Sequence, residues 1–197
     1  MLVAYSSDDV HFLDLNLTAQ VKRIESRLNW EIGPYHHPES TLVISPSVRE
    51  NLQLAERIVA AAPNLSGWHF LPAKPPKLLK RLAMKLPGKT GAEVCGDAWA
   101  YRLTAYNRLE FFDIEVFTDV VDSISGGDLE LLARRLIESL VGELLYLERF
   151  AAVKVFRHGE SVPGEKVTPF RHLGRHLAAL LGEPLSRVET RVEKETG

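Results

Sequence analysis

The chain has 197 residues, of which 45% are hydrophobic and 25% are charged, so its proportions are those of a globular protein. Its formal net charge of -2 at pH 7 gives no overall attraction to nucleic acid or to an anionic membrane surface. The single cysteine, Cys95, cannot form an internal disulfide, and aspartates stand where a secretion signal carries basic residues, so we expect a cytoplasmic protein without a membrane partner.

The first half of the chain predicts a strand-strand-helix-strand unit over residues 29–72. Apolar residues at helical spacing predict an amphipathic helix before the unit, and short runs rich in β-formers predict its strands. Ser47 and Glu50 match a capping box, in which each side chain binds a backbone N–H at the start of a helix. The predicted helices lie at 17–28 and 47–62, and the predicted strands at 29–33, 41–45 and 68–71.

Residues 73–97 are predicted to be a basic connection. Between positions 74 and 89 the chain has six lysines or arginines and no acidic residue. Four leucines at positions 78, 79, 82 and 86 stand at helical spacing, which favours a short amphipathic helix with a lysine-rich outer face. The alternative is a segment whose basic side chains bind phosphates.

A second strand-strand-helix-strand unit is predicted over residues 98–157. Its first two strands alternate apolar and polar residues around Asn107-Arg108, which favours a two-residue hairpin loop. With that loop, Arg102 lies opposite Asp113 on the polar face of the hairpin. The predicted elements are strands at 99–106 and 109–117, a helix capped by residues 126–128, and a strand at 152–156.

The repeated order predicts an α+β fold, in which a mostly antiparallel sheet carries its helices on one face. The last part of the chain, 158–197, adds a helix over 170–181 and a charged tail. We predict that residues 1–197 form a single domain.

The strongest polar group is on the second hairpin, where Asp113 and Glu115 project from the same strand face beside Arg102. Two carboxylates in this arrangement can bind a divalent cation or divide acid and base roles, so the three residues are the catalytic candidates. The alternative is a solvated sheet face with a cross-strand ion pair.

His172 and His176 are four residues apart on a predicted helix, so both rings can face one metal ion. The sequence between them lacks the glutamate of a metalloprotease motif and no third ligand is spaced nearby, so surface histidines are the alternative. Cys95 has no identifiable catalytic base, and His36 and His37 fall in a hairpin loop. No nucleotide-binding or hydrolase motif is present, and we predict no cofactor.

Six residues are candidates for binding a partner. Trp30 can stack on a ligand beside Glu31, although a tryptophan at the start of a strand is more often part of a core. The cationic side chains of the basic connection can bind the phosphate groups of a partner. The alternative is that they form the solvated face of a helix. The candidates are Trp30, Glu31, Lys74, Lys77, Lys80 and Arg81.

Several short sequence motifs resemble those of a family of bacterial proteins of unknown function. The motifs are W-E-I-G-P, L-V-I-S-P, A-P-N-L-S-G-W-H-F and K-P-P within residues 30–76, followed by F-D-I-E-V and L-V-G-E. This resemblance implies a bacterial, cytosolic α+β protein and carries over no catalytic residue. In topology the chain is also similar to the ferredoxin-like inhibitors of ribonuclease E, which implies action by binding another protein.

These observations favour a protein-binding or regulatory domain, with an immunity role as one form of it, over an enzyme. A metal-dependent or acid/base hydrolase using the hairpin carboxylates is the first alternative. Phosphate or nucleic-acid binding by residues 74–89 is the second, and the net charge does not favour it. Homo-oligomerisation is left open.

Overall fold

The structure, a computed structural model, describes residues 7–33, 40–77, 79–85, 93–120, 124–158 and 166–182. It divides the chain into two compact units, Met1–Lys74 and Pro75–Gly197. Both units combine helices with open sheets, so the predicted α+β class is confirmed. The single-domain organisation stays a prediction. No helix in the described part of the chain is long and apolar enough to cross a membrane.

The first unit is a three-stranded sheet with two helices. Strands β1 and β2 pair antiparallel, whereas β2 and β3 pair parallel, in the order β1-β2-β3. A parallel pair needs a crossover connection, and helix α2 supplies it. The elements are α1 (Ser7–Ile24), β1 (Asn29–Gly33), β2 (Ser40–Ser45), α2 (Leu52–Ala60) and β3 (Trp68–Leu71). Their buried core residues are Val21, Leu28, Ile44 and Ala55.

The capping box predicted at Ser47 and Glu50 is not formed. Ser47 has a left-handed backbone with φ of 61°, and its hydroxyl accepts a hydrogen bond from Asn29 Nδ2 at 2.7 Å. A short 3-10 turn, Arg49–Asn51, then leads into α2 with no side-chain cap. The Ser47 hydroxyl therefore links the chain before the helix to β1.

The second unit contains a two-stranded sheet, β4-β5, and a four-stranded sheet in the order β8-β7-β6-β9. Strand β7 pairs antiparallel with β6 and parallel with β8. The elements are β4 (Ala83–Lys85), β5 (Glu93–Cys95), β6 (Ala100–Tyr106), β7 (Phe111–Thr118), α3 (Gly126–Val141), α4 (Glu143–Arg149), β8 (Phe150–Arg157), β9 (Thr168–Pro169) and α5 (Leu173–Leu181).

The predicted repeat of strand, strand, helix and strand is confirmed. In each unit an antiparallel hairpin is followed by a helical crossover to a parallel strand, as β1-β2-α2-β3 and as β6-β7-α3-α4-β8. Helices α1 and α5 precede and follow the two repeats.

The core of the second unit lies between one sheet face and three helices. Phe112, Ile114 and Val116 alternate along β7 and are fully buried, as the period of two in a strand requires. A stripe of leucines at helical spacing on α3 packs in the same cluster, together with Leu173 and Leu177 of α5. Helix α3 begins at Gly126 with Ser125 as its N-cap, where the Ser125 hydroxyl accepts from the Asp128 amide at 3.3 Å.

The amphipathic helix expected in the basic connection is absent from residues 74–77 and 79–85. Leu82 is buried at 2% exposure and directly precedes β4, which pairs antiparallel with β5. Its amide donates to Asp97 Oδ1 at 3.2 Å, and the Lys77 amide donates to the carbonyl of Ser139 at 2.7 Å. These bonds tie the segment to Asp97 and to α3, and its leucine spacing produces no helix in the described residues.

The predicted two-residue hairpin loop is wrong, because the turn contains the four residues 107–110. Asn107, Arg108 and Leu109 have φ of 47°, 59° and 74°. The register therefore shifts by two residues, and Arg102 lies opposite Glu115 instead of Asp113. A shift of two keeps every side chain on its predicted face.

Candidate functional site

The polar face of the four-stranded sheet contains all three catalytic candidates. Its side chains alternate with the core residues of β6, β7 and β8, and they point away from the helices of the second unit. We call this the outer face, and its residues are Ala100, Arg102, Thr104, Tyr106, Phe111, Asp113, Glu115, Phe117, Ala152, Lys154 and Phe156. Exposure falls along the face from 44% at Tyr106 to 2% at Phe117.

Arg102 and Glu115 form an ion pair across β6 and β7, with Nε bonded to Oε2. Their side chains are 28% and 25% exposed, so solvent screens the pair only in part. The hydrogen bond to Glu115 raises the pKa of Arg102. The guanidinium carbon also lies 5.9 Å from the centre of the Phe117 ring. The charge of Glu115 is thus already neutralised by a fixed partner.

Asp113 has a different partner from Glu115. The hydroxyl of Tyr106 donates to Asp113 Oδ2 at 2.9 Å, and this bond raises the pKa of Tyr106. The two carboxylates are on the same strand face, as predicted, but each is held by a different neighbour on β6. Within the described residues, no group of three His, Cys, Asp or Glu side chains could hold a metal ion.

The end of the β6–β7 hairpin is exposed but firmly held. Thr104, Ala105 and Tyr106 are exposed, and the turn follows them directly. The Glu110 amide donates to the carbonyl of Tyr106 at 3.0 Å, and Arg149 Nη1 donates to the carbonyl of Glu110 at 3.2 Å. We call residues 104–110 the hairpin tip. Since Leu109 also packs against the core, the tip is an exposed surface of fixed shape.

The two histidines predicted as metal candidates have separate partners. Arg175 donates to Nδ1 of His172 at 2.7 Å, which leaves the proton of a neutral His172 ring on Nε2. Nδ1 of His176 is hydrogen-bonded to the hydroxyl of Tyr101 at 2.7 Å. Burial raises the pKa of Tyr101 to about 12. His36 and His37 lie outside the described residues.

The basic candidates are distributed over the segment before β4. Lys74 and Lys77 are half-buried, whereas Lys80 and Arg81 are exposed. Arg81 forms an ion pair with Glu93 at 3.3 Å, and contacts with the Cys95 thiol and with Glu93 raise its pKa. One of the two exposed cations in this group is therefore already compensated.

A polar cluster around Asp97 was not predicted. The Cys95 thiol donates to Asp97 Oδ2 at 3.4 Å, and an Arg171 nitrogen lies 3.8 Å from Oδ1. The pKa of Asp97 is lowered, first by the amide of Leu82 and then by the thiol and the arginines. Leu82 is 15 positions from Asp97 and Arg171 is 74, and nothing in the local pattern indicates either contribution.

The remaining candidates belong to the first unit. Trp30 is half-buried against the core, and its Nε1 donates to Thr18 Oγ1 at 3.0 Å, so α1 and β1 are joined through it. Glu31 is half-buried on the opposite side of β1. A shallow depression in this unit is lined by Leu54, Arg57, Ile58 and Ala60 of α2 and by Ala61, which follows the helix. None of the predicted site residues lines it.

No protein-family model matches the chain, and neither a curated protein nor a solved structure shows a significant similarity. The resemblances to the bacterial family and to the ferredoxin-like inhibitors stay predictions. The arrangement of the described residues is accordingly the basis for a functional proposal.

Proposed function

We propose that this chain is a protein-binding domain of a bacterial cytoplasm and that the hairpin tip is its contact surface. The observation that supports this most directly is the combination of exposure and fixed shape at residues 104–110. A surface that is ordered before binding loses little conformational entropy when a partner docks. Neutralisation of another protein, as in an immunity role, is one form of this function.

The side chains of the tip suit protein recognition. Tyr106 is 44% exposed, and tyrosine contributes a large contact area and a hydroxyl at little entropic cost. Its bond to Asp113 fixes the direction of the ring. Three successive left-handed residues, Asn107 to Leu109, are a strained backbone of the kind that concentrates at functional positions.

The same geometry gives less support to a hydrolase. A general base needs a carboxylate that can reach a substrate proton, and Asp113 and Glu115 are instead bonded to Tyr106 and Arg102. Glu115 would have to leave its Arg102 partner before it could exchange a proton with a substrate. Binding therefore explains the outer face better than catalysis.

Site-specific photo-crosslinking tests the proposal. A photoreactive phenylalanine at Thr104 should capture the same protein in repeated preparations from the native bacterium. The matched control is the same residue at Arg135, which is exposed on α3 and far along the chain from the tip. Tyr106→Ala should reduce the yield at Thr104, while circular dichroism shows a retained fold. Equal capture at both positions, or none at Thr104, would contradict the proposal.

A further inference from the structure

The bond between Tyr106 and Asp113 leaves two oxygen acceptors at the exposed end of the outer face. A tyrosine has one hydroxyl proton, and Tyr106 donates it to Asp113 Oδ2 at 2.9 Å. The Tyr106 oxygen can therefore only accept a further hydrogen bond. Asp113 Oδ1 is also an acceptor, and no described residue donates to it. The pair thus presents two acceptors and no donor to an approaching molecule.

The residues directly across the strands from Asp113 are small. Thr104 lies opposite Asp113 on β6 and is exposed, and Ala152 lies opposite it on β8. Residues directly opposite each other in a sheet have their Cβ atoms about 5 Å apart, so the size of these two neighbours sets the space around the carboxylate. Tyr106 itself is 44% exposed. A planar group can therefore reach the carboxylate from solvent and lie against the Tyr106 ring.

The charge beside the Tyr106 hydroxyl is negative. Glu115 is neutralised by Arg102, whereas Asp113 forms no ion pair with a described residue. The pKa of Tyr106 is raised first by its hydrogen bond to Asp113, then by desolvation and by the charges of Asp113 and Glu115. No cation in the described part of the chain lowers this pKa. A cation that approaches the pair is therefore attracted to it at short range.

Three other exposed charges lie around the pair. Arg108 and Glu110 are in the turn, and Lys154 lies opposite Glu115 on β8. None of the three has an ion pair with a described residue. The outer face and the hairpin tip together have three cations and three carboxylates, so their charges sum to zero. Long-range attraction therefore does not select the partner, and recognition depends on short contacts with the Tyr106–Asp113 pair.

We propose that the Tyr106–Asp113 pair is the subsite for an arginine side chain of the partner protein. This inference rests on the proposed function, since it names the group that the hairpin tip recognises. A guanidinium has only donors and a positive charge, so it can bond to Asp113 Oδ1 and to the Tyr106 oxygen while it stacks on the Tyr106 ring. A lysine ammonium lacks the planar set of donors and is more strongly hydrated. A phosphate or carboxylate would meet two acceptors and a like charge.

The test titrates the isotope-labelled full chain with the peptide acetyl-Gly-Ser-Arg-Ser-Gly-amide and follows the backbone amides of Tyr106 and Asp113 by NMR. The same peptide with citrulline, the neutral analogue of arginine, should bind about tenfold more weakly, because it lacks the charge that strengthens both hydrogen bonds. The peptide with lysine should bind about threefold more weakly than the arginine peptide, because a single ammonium does not match two separate acceptors.

Two variants separate the pair from the general charge of the tip. Asp113→Asn keeps an oxygen acceptor for the Tyr106 hydroxyl and places an amide nitrogen where the open oxygen was, so it should weaken the arginine peptide about tenfold. Glu110→Gln is the matched control, because it removes an exposed carboxylate of the same tip that is outside the pair. It should change binding by less than about twofold. Circular dichroism checks that both variants are folded.

The crosslink at Thr104 distinguishes this inference from the proposed function. Asp113→Asn should reduce the yield of that crosslink in the native bacterium. Equal affinity for the arginine and citrulline peptides, or a loss with Glu110→Gln as large as with Asp113→Asn, would overturn the arginine subsite. If Thr104 still captures the same protein in that case, the proposed function stands without the subsite. Absence of the crosslink in the original chain would remove both.

Discussion

The hydrogen bond between Tyr101 and His176 makes a quantitative prediction about alkaline stability. Tyr101 is 1% exposed, and its ring packs edge-on against Phe170 with centroids 6.2 Å apart. Tyr101→Phe keeps this ring contact and removes the hydroxyl that lies 2.7 Å from His176. Near pH 7 the variant should lose about 1 kcal/mol of unfolding free energy, the usual contribution of one such bond.

The sign of this difference should reverse at high pH. Burial raises the pKa of Tyr101 to about 12 in the folded chain, whereas an unfolded tyrosine titrates at about 10. Between these values the unfolded chain has lost a proton that the folded chain retains, so stability falls as pH rises. The full difference is about 3 kcal/mol. At pH 12 the original chain has lost about 2 kcal/mol of this difference. Tyr101→Phe escapes that loss and, after its missing hydrogen bond, should exceed the original chain by about 1 kcal/mol.

Urea unfolding at intervals from pH 7 to pH 12, followed by circular dichroism, measures the crossover. His176→Gln is the matched control, because it changes the same bond but leaves the Tyr101 hydroxyl to ionise. It should lose stability at alkaline pH alongside the original chain. Parallel curves for Tyr101→Phe and the original chain through pH 12 would refute the reasoning.

Three further changes test the folding argument by urea denaturation. Arg108→Gly relieves a left-handed residue at φ of 59° and should raise the unfolding free energy by about 0.5–1 kcal/mol, whereas an unchanged value would show no strain there. Ser125→Ala removes the N-cap of α3 and should cost about 1 kcal/mol, which Ser125→Asp should restore. Phe112→Ala empties a fully buried position and should cost about 3–5 kcal/mol, so a loss below 1 would contradict its place in the core.

Periodicity predicted the elements of the two strand-strand-helix-strand repeats, but it missed β4, β5 and β9 and the geometry of the turns. One face of β7 and one face of α3 are buried, so apolar residues recur along them at strand and helix spacing. This spacing is visible in the sequence alone. The connection before β4 shows the limit. Its leucine spacing favours a helix, yet Leu82 bonds to Asp97, fifteen positions later, and a local pattern does not contain such a contact.

The polar contacts were predictable only where both partners share one hairpin. Asp113, Glu115 and Arg102 were placed together correctly because they alternate on adjoining strands. The bond from Tyr101 to His176 joins residues 75 positions apart, and the link from Arg171 to Asp97 joins residues 74 apart. Their geometry depends on where α5 packs, which a single sequence does not specify.

The two-residue shift in the hairpin register explains why the sheet face of the three residues was predicted correctly and the pairing of Arg102 with Asp113 was wrong. Side chains alternate with a period of two, so a shift of two leaves Arg102, Asp113 and Glu115 on the outer face. The turn length alone decides which residues lie opposite each other, and the four-residue turn places Arg102 opposite Glu115. Asp113 is then hydrogen-bonded to Tyr106 at the exposed end of the hairpin. Hence the turn length converts a candidate acid/base pair into two separate cross-strand contacts.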